Sequence, residues 1–434
     1  MSINFRLYKD GDEEQIVEVI NSAFTTFREW GLDRDSWLEY DADDYAFDKN
    51  MALVAEADGR IVGHIMIVLR EFKLGVETYI KFGGIANVST HPDYRGRGIA
   101  TKLMTKAVEV CREKSLPLSS LLTGFHGVAH GIYRKIGYTD TIYMSHFWGK
   151  RKEIENAYSK IGFDTNVNVR EVSRNDIEVL SRVYDLWSRS YNGVCRRPLD
   201  YWRKKIIEKS YYHSFFYVSK GIYKIVSTCD SKVTGYAIYG ISDETDRRIG
   251  IPPHTGGLFE LVALDDKSRV TLFKHVLGEF IDKKVKRVVL HLPHSKEYFR
   301  LTRHFIEIGE DTVLMDYITN QPLLFNMLTQ ELQSCLERYG GFNRMKITLA
   351  SDFGTTTIKV SGCEIEIFGE VSENYIYFEK DSFVRMIYGI EGFSDVLGKK
   401  GIVKVRTEDF QGVKELLSIL FPRRDFHIWK IDNW

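Results

Sequence analysis

One hairpin signature occurs twice in this chain, and it narrows the possible folds more than any other feature. Ala57-Asp58-Gly59-Arg60-Ile61-Val62-Gly63 has a counterpart in Cys229-Asp230-Ser231-Lys232-Val233-Thr234-Gly235, each between apolar runs. Asp-Gly between such runs is a strong hairpin signal, because a tight turn needs residues that accept positive φ. The preceding segments repeat too. Residues 4–8 read as a strand and lead into a helix with Ile16, Val17, Ile20 and Phe24 at helical spacing. Residues 168–172 resemble them and precede a helix carrying Ile177, Leu180, Tyr184 and Trp187. Two copies of one α/β unit follow from this pattern.

Beyond the hairpin the copies part. In the first, a strand over 79–90 ends at His91-Pro92 and passes through Arg95-Gly96-Arg97-Gly98-Ile99-Ala100 into a helix over 99–114. That helix has Ile99, Leu103, Met104, Ala107, Val110 and Cys111 on its apolar face. In the second, the strand over 259–264 is followed by Asp265-Asp266-Lys267-Ser268-Arg269-Val270, with no glycine. The second copy has therefore lost whatever chemistry the glycines serve. From about residue 325 the pattern changes to a helix over 323–339, strands at 345–349 and 375–378, helices over 381–397 and 407–420, and an aromatic strand over 426–434. The expected domains are 1–150, 151–322 and 323–434, packed together, since no Pro-, Gly- or Ser-rich linker separates them.

A length of 434 residues exceeds what one core organises and agrees with about three domains. Sixty basic and sixty acidic residues cancel, which removes the footprint of a nucleic-acid binder or a polybasic membrane protein. No run long enough to span a bilayer and no signal-peptide pattern is read, so the expected setting is the cytoplasm. Cys111, Cys195, Cys229, Cys335 and Cys363 lie far apart without a C-x-x-C pair, so buried thiols are expected, with neither disulfides nor a metal site.

The glycine segment carries the chemistry. At a strand-to-helix turn the first helical N–H groups have no intrahelical partner, and they face an anion at the positive end of the helix dipole. Gly96 and Gly98 remove the Cβ atoms that would hold a pyrophosphate off the backbone, and Arg95 and Arg97 add charge. Taken alone, the loop reads equally well as a surface turn. A dinucleotide fingerprint would follow the first strand and continue to a third glycine, and a Walker loop would need Gly-Lys-Ser/Thr; neither is present. Arg95 to Ala100 instead resembles the Arg/Gln-x-x-Gly-x-Gly/Ala signature of the GNAT acetyltransferase superfamily. Gly131-Ile132-Tyr133-Arg134-Lys135-Ile136-Gly137-Tyr138 is similar to that family's closing helix and turn. With the degenerate second copy and the aromatic chain end, the whole resembles the Eis (enhanced intracellular survival) type. That resemblance implies α/β and α+β classes: tandem GNAT folds with mixed central sheets flanked by helices, then a sterol-carrier-like α+β domain.

The resemblance also implies roles. Tyr133 would be the general acid and the carboxylate of Trp434 the general base, since acetyl transfer from a thioester to an amine needs a neutral amine and a protonated leaving thiolate. Acetyl-CoA would lie along the backbone of Val88, Ser89 and Thr90. Its pyrophosphate would rest on Arg95, Gly96, Arg97, Gly98, Ile99, Ala100 and Thr101. A further contact falls at Val128 and Ala129, where the Eis type has Ser-Glu. His126 and His130 are rival bases. The segment 426–434 is too apolar for a free tail and should be docked.

Asp33, Asp35, Glu39, Asp41, Asp43 and Asp44 are interleaved with Trp37 and Tyr40 after Phe24, Phe27 and Trp30. In GNAT folds the region after the first helix borders the acceptor, so Phe24, Phe27 and Trp37 are candidate substrate contacts and the carboxylates would draw in a cationic amine. The expected protein is an acetyl-CoA-dependent N-acetyltransferase of a cationic small molecule or lysine, working by direct attack without a metal. By resemblance it is a hexamer; no nucleic acid or membrane partner is expected. The alternatives are an acetyl-CoA-binding regulatory protein without turnover and a lipid-binding scaffold.

Overall fold

The computed structural model describes residues 2–162, 167–208, 224–228, 232–242 and 253–434. The turn residues Cys229-Asp230-Ser231 lie outside that set, and so do the side chains of Trp30, Tyr40, Asp41 and Asp43.

The first unit runs β1 (Ile3–Leu7), α1 (Glu13–Ala23), α2 (Thr25–Trp30), α3 (Arg34–Asp43), β2 (Ala52–Ala57), β3 (Arg60–Lys73), β4 (Tyr79–Thr90), α4 (Ile99–Glu113), β5 (Leu118–Gly124), α5 (Val128–Ile136) and β6 (Thr139–Lys150). The β2–β3 turn has Asp58 at φ 49° and Gly59 at φ 78°. Two successive positive φ values match the right-handed strand twist, which is why Asp-Gly is placed there. After α6 (Arg151–Lys160), the second unit runs β7 (Val169–Glu171), α7 (Ile177–Ser188), β8 (Tyr191–Asn192), α8 (Leu199–Tyr201), β9 (Lys224–Thr228), β10 (Gly235–Ile241), β11 (Thr255–Ala263), α9 (Asp266–Asp282), β12 (Arg287–Leu290), α10 (Lys296–Thr302) and β13 (Ile306–Ile318).

Both units share one sheet, in the order β1-β2-β3-β4-β5-β13-β6-β12-β11-β10-β9-β7. The order is nearly symmetric about β13–β6, and the two central strands are exchanged. The last strand of the second unit completes the first by pairing with β5 (Thr312↔Gly124 to Ile318↔Leu118), while β6 pairs with β12 of the second. Neither unit has a closed edge without the other, so the two fold as one body.

The third unit is α11 (Gln321–Tyr339), β14 (Phe342–Ser351), β15 (Gly354–Gly362), β16 (Glu364–Phe368), β17 (Tyr375–Phe378), α12 (Lys380–Ile387), α13 (Phe393–Gly398), β18 (Ile402–Arg406), α14 (Phe410–Leu420) and β19 (Asp425–Phe426), with sheet order β16-β15-β14-β17-β18. Its core includes Phe72, Phe82 and Leu118 of the first unit. The expected single helix over 381–397 is two helices, because Gly389 turns the chain at φ 72°. The expected strand over 426–434 is mostly irregular. Only Asp425 and Phe426 pair, with β8, and a short helical turn follows at Lys430–Asp432. No helix among the described residues is long and apolar enough to cross a membrane.

Candidate active site

Strands β4 and β5 pair in parallel from Phe82↔Leu118 to Ile85↔Leu121 and no further. Beyond that point β4 continues to Thr90 along β3 and β5 continues to Gly124 along β13, so the two diverge. A bulge sets the angle: the β3–β4 register slips between His64 and Met66, and Asn87 takes φ 53°. A bulge bends its strand and increases local twist. On the β5 side no described strand pairs with residues 86–90, which include Val88, Ser89 and Thr90. That edge can hold an extended ligand arm by main-chain hydrogen bonds.

The far end of the opening meets the glycine turn. Gly96 and Gly98 have φ 74° and 73°, and nothing lies within 4 Å of where a Cβ on either would be. Gly98 caps α4 without a side chain, and the first helical bond runs from Lys102 N–H to Gly98 C=O. The N–H groups of Ile99, Ala100 and Thr101 are thus left for an anion. Arg95 is exposed; the Arg97 guanidinium lies 5.0 Å from the Tyr94 ring. The donor set fits a pyrophosphate.

Helix α5 brings Tyr133 to one face of the same strand pair, where it is 5% exposed and packs in a core with Ile85 and Leu121. Burial pushes its phenol up to about 12, and burial also pushes the thiol of Cys111, in that same core, up to about 12. Val128, at the start of α5, is 87% exposed and Ala129 is half-buried.

On the opposite face lies Trp434. Its indole N–H donates to Ser120 C=O at 3.2 Å, its ring lies 4.8 Å from that of Phe82, and it covers Gly84. A Cβ at Gly84 would stand 2.5 Å from the indole. Gly84 pairs with Ser120, so Trp434 is docked across the last paired rungs before the strands part.

Residues 4–140 match the family model described as an acetyltransferase (GNAT) domain. The first unit belongs to the GNAT acetyltransferase family. Among curated proteins, the S-alkylcysteine N-acetyltransferase of Bacillus subtilis (strain 168) is 29% identical over 143 residues, 31% of this chain and 77% of that protein. Two solved structures match along all of both chains: a GCN5-related N-acetyltransferase from Anabaena variabilis (14% identity, TM-score 0.71) and Eis1 from Mycobacterium abscessus (15% identity, TM-score 0.64). At these identities the two share the fold with this chain.

The GNAT unit places the other candidates unequally. Phe24 and Phe27 are half-buried, edge to face at 5.6 Å, and pack against the same buried core as Ala86 and Trp434 do. Trp37 does not join them as a contact surface: it is 1% exposed, within a core of Tyr8, Phe47 and His64. Its place on the inward side of α3 makes it packing. Asp44 is likewise not a solvated carboxylate. It is buried and held by Arg70 at 3.0 and 2.8 Å, with Lys205 at 3.6 Å, and these cations keep its carboxyl below the usual range against the effect of burial. Asp33, Asp35 and Glu39 are exposed. His130 bonds Asp140 at 2.9 Å, and His126 is exposed against Phe125 at 3.7 Å.

Three residues escaped the sequence reading. Gly84 reads as any strand glycine. His64, fully buried opposite Ser89 under the bulge, has Nδ1 3.4 Å from Asn87 C=O and no hydrogen bond on Nε2; burial depresses it to about 4. Asp316, fully buried on β13, accepts from the hydroxyls of Ser120 and Thr141, and burial raises it to about 6. A lone carboxylate in the apolar run Leu314-Met315-Asp316-Tyr317 was the available signal.

Proposed function

We propose that this chain is an acetyl-CoA-dependent N-acetyltransferase acting on a primary amine of a cationic small molecule or lysine by direct attack. The observation that carries this reading is the divergence of β4 and β5 beyond Ile85↔Leu121, with the open glycine turn at its far end. Val88, Ser89 and Thr90 would hold the pantetheine arm; Arg95 to Thr101 would hold the pyrophosphate. Acetyl-CoA would supply the acetyl thioester.

Tyr133 and Trp434 lie on opposite faces of one strand pair, so an acid and a base could flank a thioester lying in the opening. The amine nitrogen forms a bond to the acetyl carbon and the carbon–sulfur bond breaks. The Trp434 carboxylate takes the nitrogen's proton, and Tyr133 gives one to the departing thiolate. Phe24 and Phe27, on the core that Trp434 also packs against, would offer an apolar wall, and Asp33, Asp35 and Glu39 a negative approach. The third unit, which we read as sterol-carrier-like in form, would serve as the platform that leads the chain end back to the first.

The test is thiol release from acetyl-CoA against aminoglycosides, polyamines, lysine peptides and S-alkylcysteines. Turnover with a cationic amine is expected; turnover with S-alkylcysteine alone would replace the acceptor class, and none with any amine would overturn the enzyme reading. Adding residues after Trp434 is expected to lower kcat with acetyl-CoA affinity unchanged.

A further inference from the structure

The second unit repeats the opening of the first. Its β11 pairs in parallel with β12 from Thr255↔Arg287 to Leu258↔Leu290 and continues to Ala263 beyond the last rung. In the first unit the matching stretch of β4 is a free edge; here it carries Glu260, fully buried. The Glu260 carboxylate receives two bonds from Arg197, at 2.8 and 2.7 Å, and a third from the Tyr236 hydroxyl. Arg197 also grips both oxygens of Asp432, at 2.8 Å each. All three charged side chains are 0 to 1% exposed. Tyr201 donates to Ile431 C=O at 3.0 Å and Tyr184 to Asp432 at 3.3 Å, while Trp429 packs 5.2 Å from Trp187 of α7.

We infer that the second unit has turned its cleft into a socket for the chain's own end, and that Arg197 is a positioning residue for the first unit's site, acting through Asp432 on Trp434. Asp432 stands two residues before Trp434, so the reach left after the clamp is only about 7 Å. Fixed by the clamp on one side and by Ser120 C=O on the other, Trp434 has little freedom to leave the β4–β5 pair. A buried ion triad is a weak device for stability but a strong one for register, because each misplaced partner leaves an unpaired buried charge.

This inference rests on Trp434 taking part in turnover, and the experiment separates the two. Arg197→Met alone strands two buried carboxylates and is expected to unfold the chain. The neutral triple variant Arg197→Met/Glu260→Gln/Asp432→Asn removes the charges together, and cooperative melting checks its fold. With the best amine from the panel, the triple variant is expected to lose kcat at least tenfold and keep the KM for acetyl-CoA. Added to removal of Trp434, it should cost nothing more. A folded triple variant with parental kcat, where removal of Trp434 lowers kcat, overturns the socket alone. Parental kcat after removal of Trp434, and after Gly84→Ala displaces its indole, overturns the catalytic reading. If the panel yields no substrate, amide exchange decides: the triple variant must lose protection across 430–434, and retained protection sinks the proposal.

Discussion

The two GNAT-like units share a topology and differ where it matters. At the helix turn the first has Gly98, which leaves the N–H groups of α4 open; the second has Asp265, whose carboxylate takes the N–H of Ser268 at 2.8 Å, with Asp266 beside it. Under the bulge, His64 faces Ser89 in the first, and Ile238 faces Glu260 in the second. On the helix that follows, Tyr298 gives its hydroxyl to Leu261 C=O at 2.5 Å, whereas no described residue takes the hydroxyl of Tyr133. One sheet can thus present a parted strand pair either to a ligand or to its own chain, and a few side chains at one strand end and one turn decide which.

The largest expected effect comes from the phenol. Tyr133→Phe should lower kcat by about 10²- to 10⁴-fold with acetyl-CoA affinity unchanged, because only proton transfer is removed. Steady-state kinetics with calorimetric binding checks this, and parental kcat would move the acid elsewhere.

His64 provides the next contrast. Folded, its imidazole stays neutral down to about pH 4; unfolded, it charges near 6.5. Between those values the unfolded chain binds a proton that the folded chain refuses, so the neutral histidine is fully tolerated above pH 6.5 and stability falls as pH drops toward 4. His64→Ile, which copies the second unit, should remove this loss, worth on the order of 3 kcal/mol. Denaturant melts of both proteins at pH 7.5 and pH 4.5 test it through the change in their difference, and a difference independent of pH refutes the buried neutral imidazole.

Much of the fold was legible, for local reasons. The hairpin at Asp58-Gly59, the strand to Thr90 and the helix from Ile99 are written in turn chemistry and periodicity, which need only neighbours. The strand exchange of β6 and β13 was not, because pairing partners about 140 to 200 residues apart leave no local trace. The glycine turn is seen to open α4, and Tyr133 lies on α5. The burial of Trp37 and Asp44 was not legible, because an aromatic or acidic residue in an α3-like segment reads the same whether its helix face turns inward or outward. Gly84 and the Arg197 triad were invisible for a third reason: their partners come from the far end of the chain.

Two smaller changes move the units toward each other. Gly98→Asp brings the second unit's carboxylate to the first unit's helix end. It repels a pyrophosphate there, so acetyl-CoA should bind about tenfold more weakly, a loss near 1.4 kcal/mol, with a small drop in melting temperature because a side chain must take up φ 73°. Equal affinity in a titration would mean that the phosphates sit elsewhere.

The reverse change is the gentlest. Asp265→Ala frees Ser268 N–H and should lower stability by about 1 kcal/mol, the usual worth of a helix cap, read as a small drop in melting temperature. It should not create a coenzyme site, because Glu260, Arg197 and the 430–432 turn still fill the cleft below. Unchanged kcat and a single acetyl-CoA equivalent per chain are the expected result. A second bound equivalent would show that the cap, not the chain end, closed the second unit, and the contrast between the two would shrink to one residue.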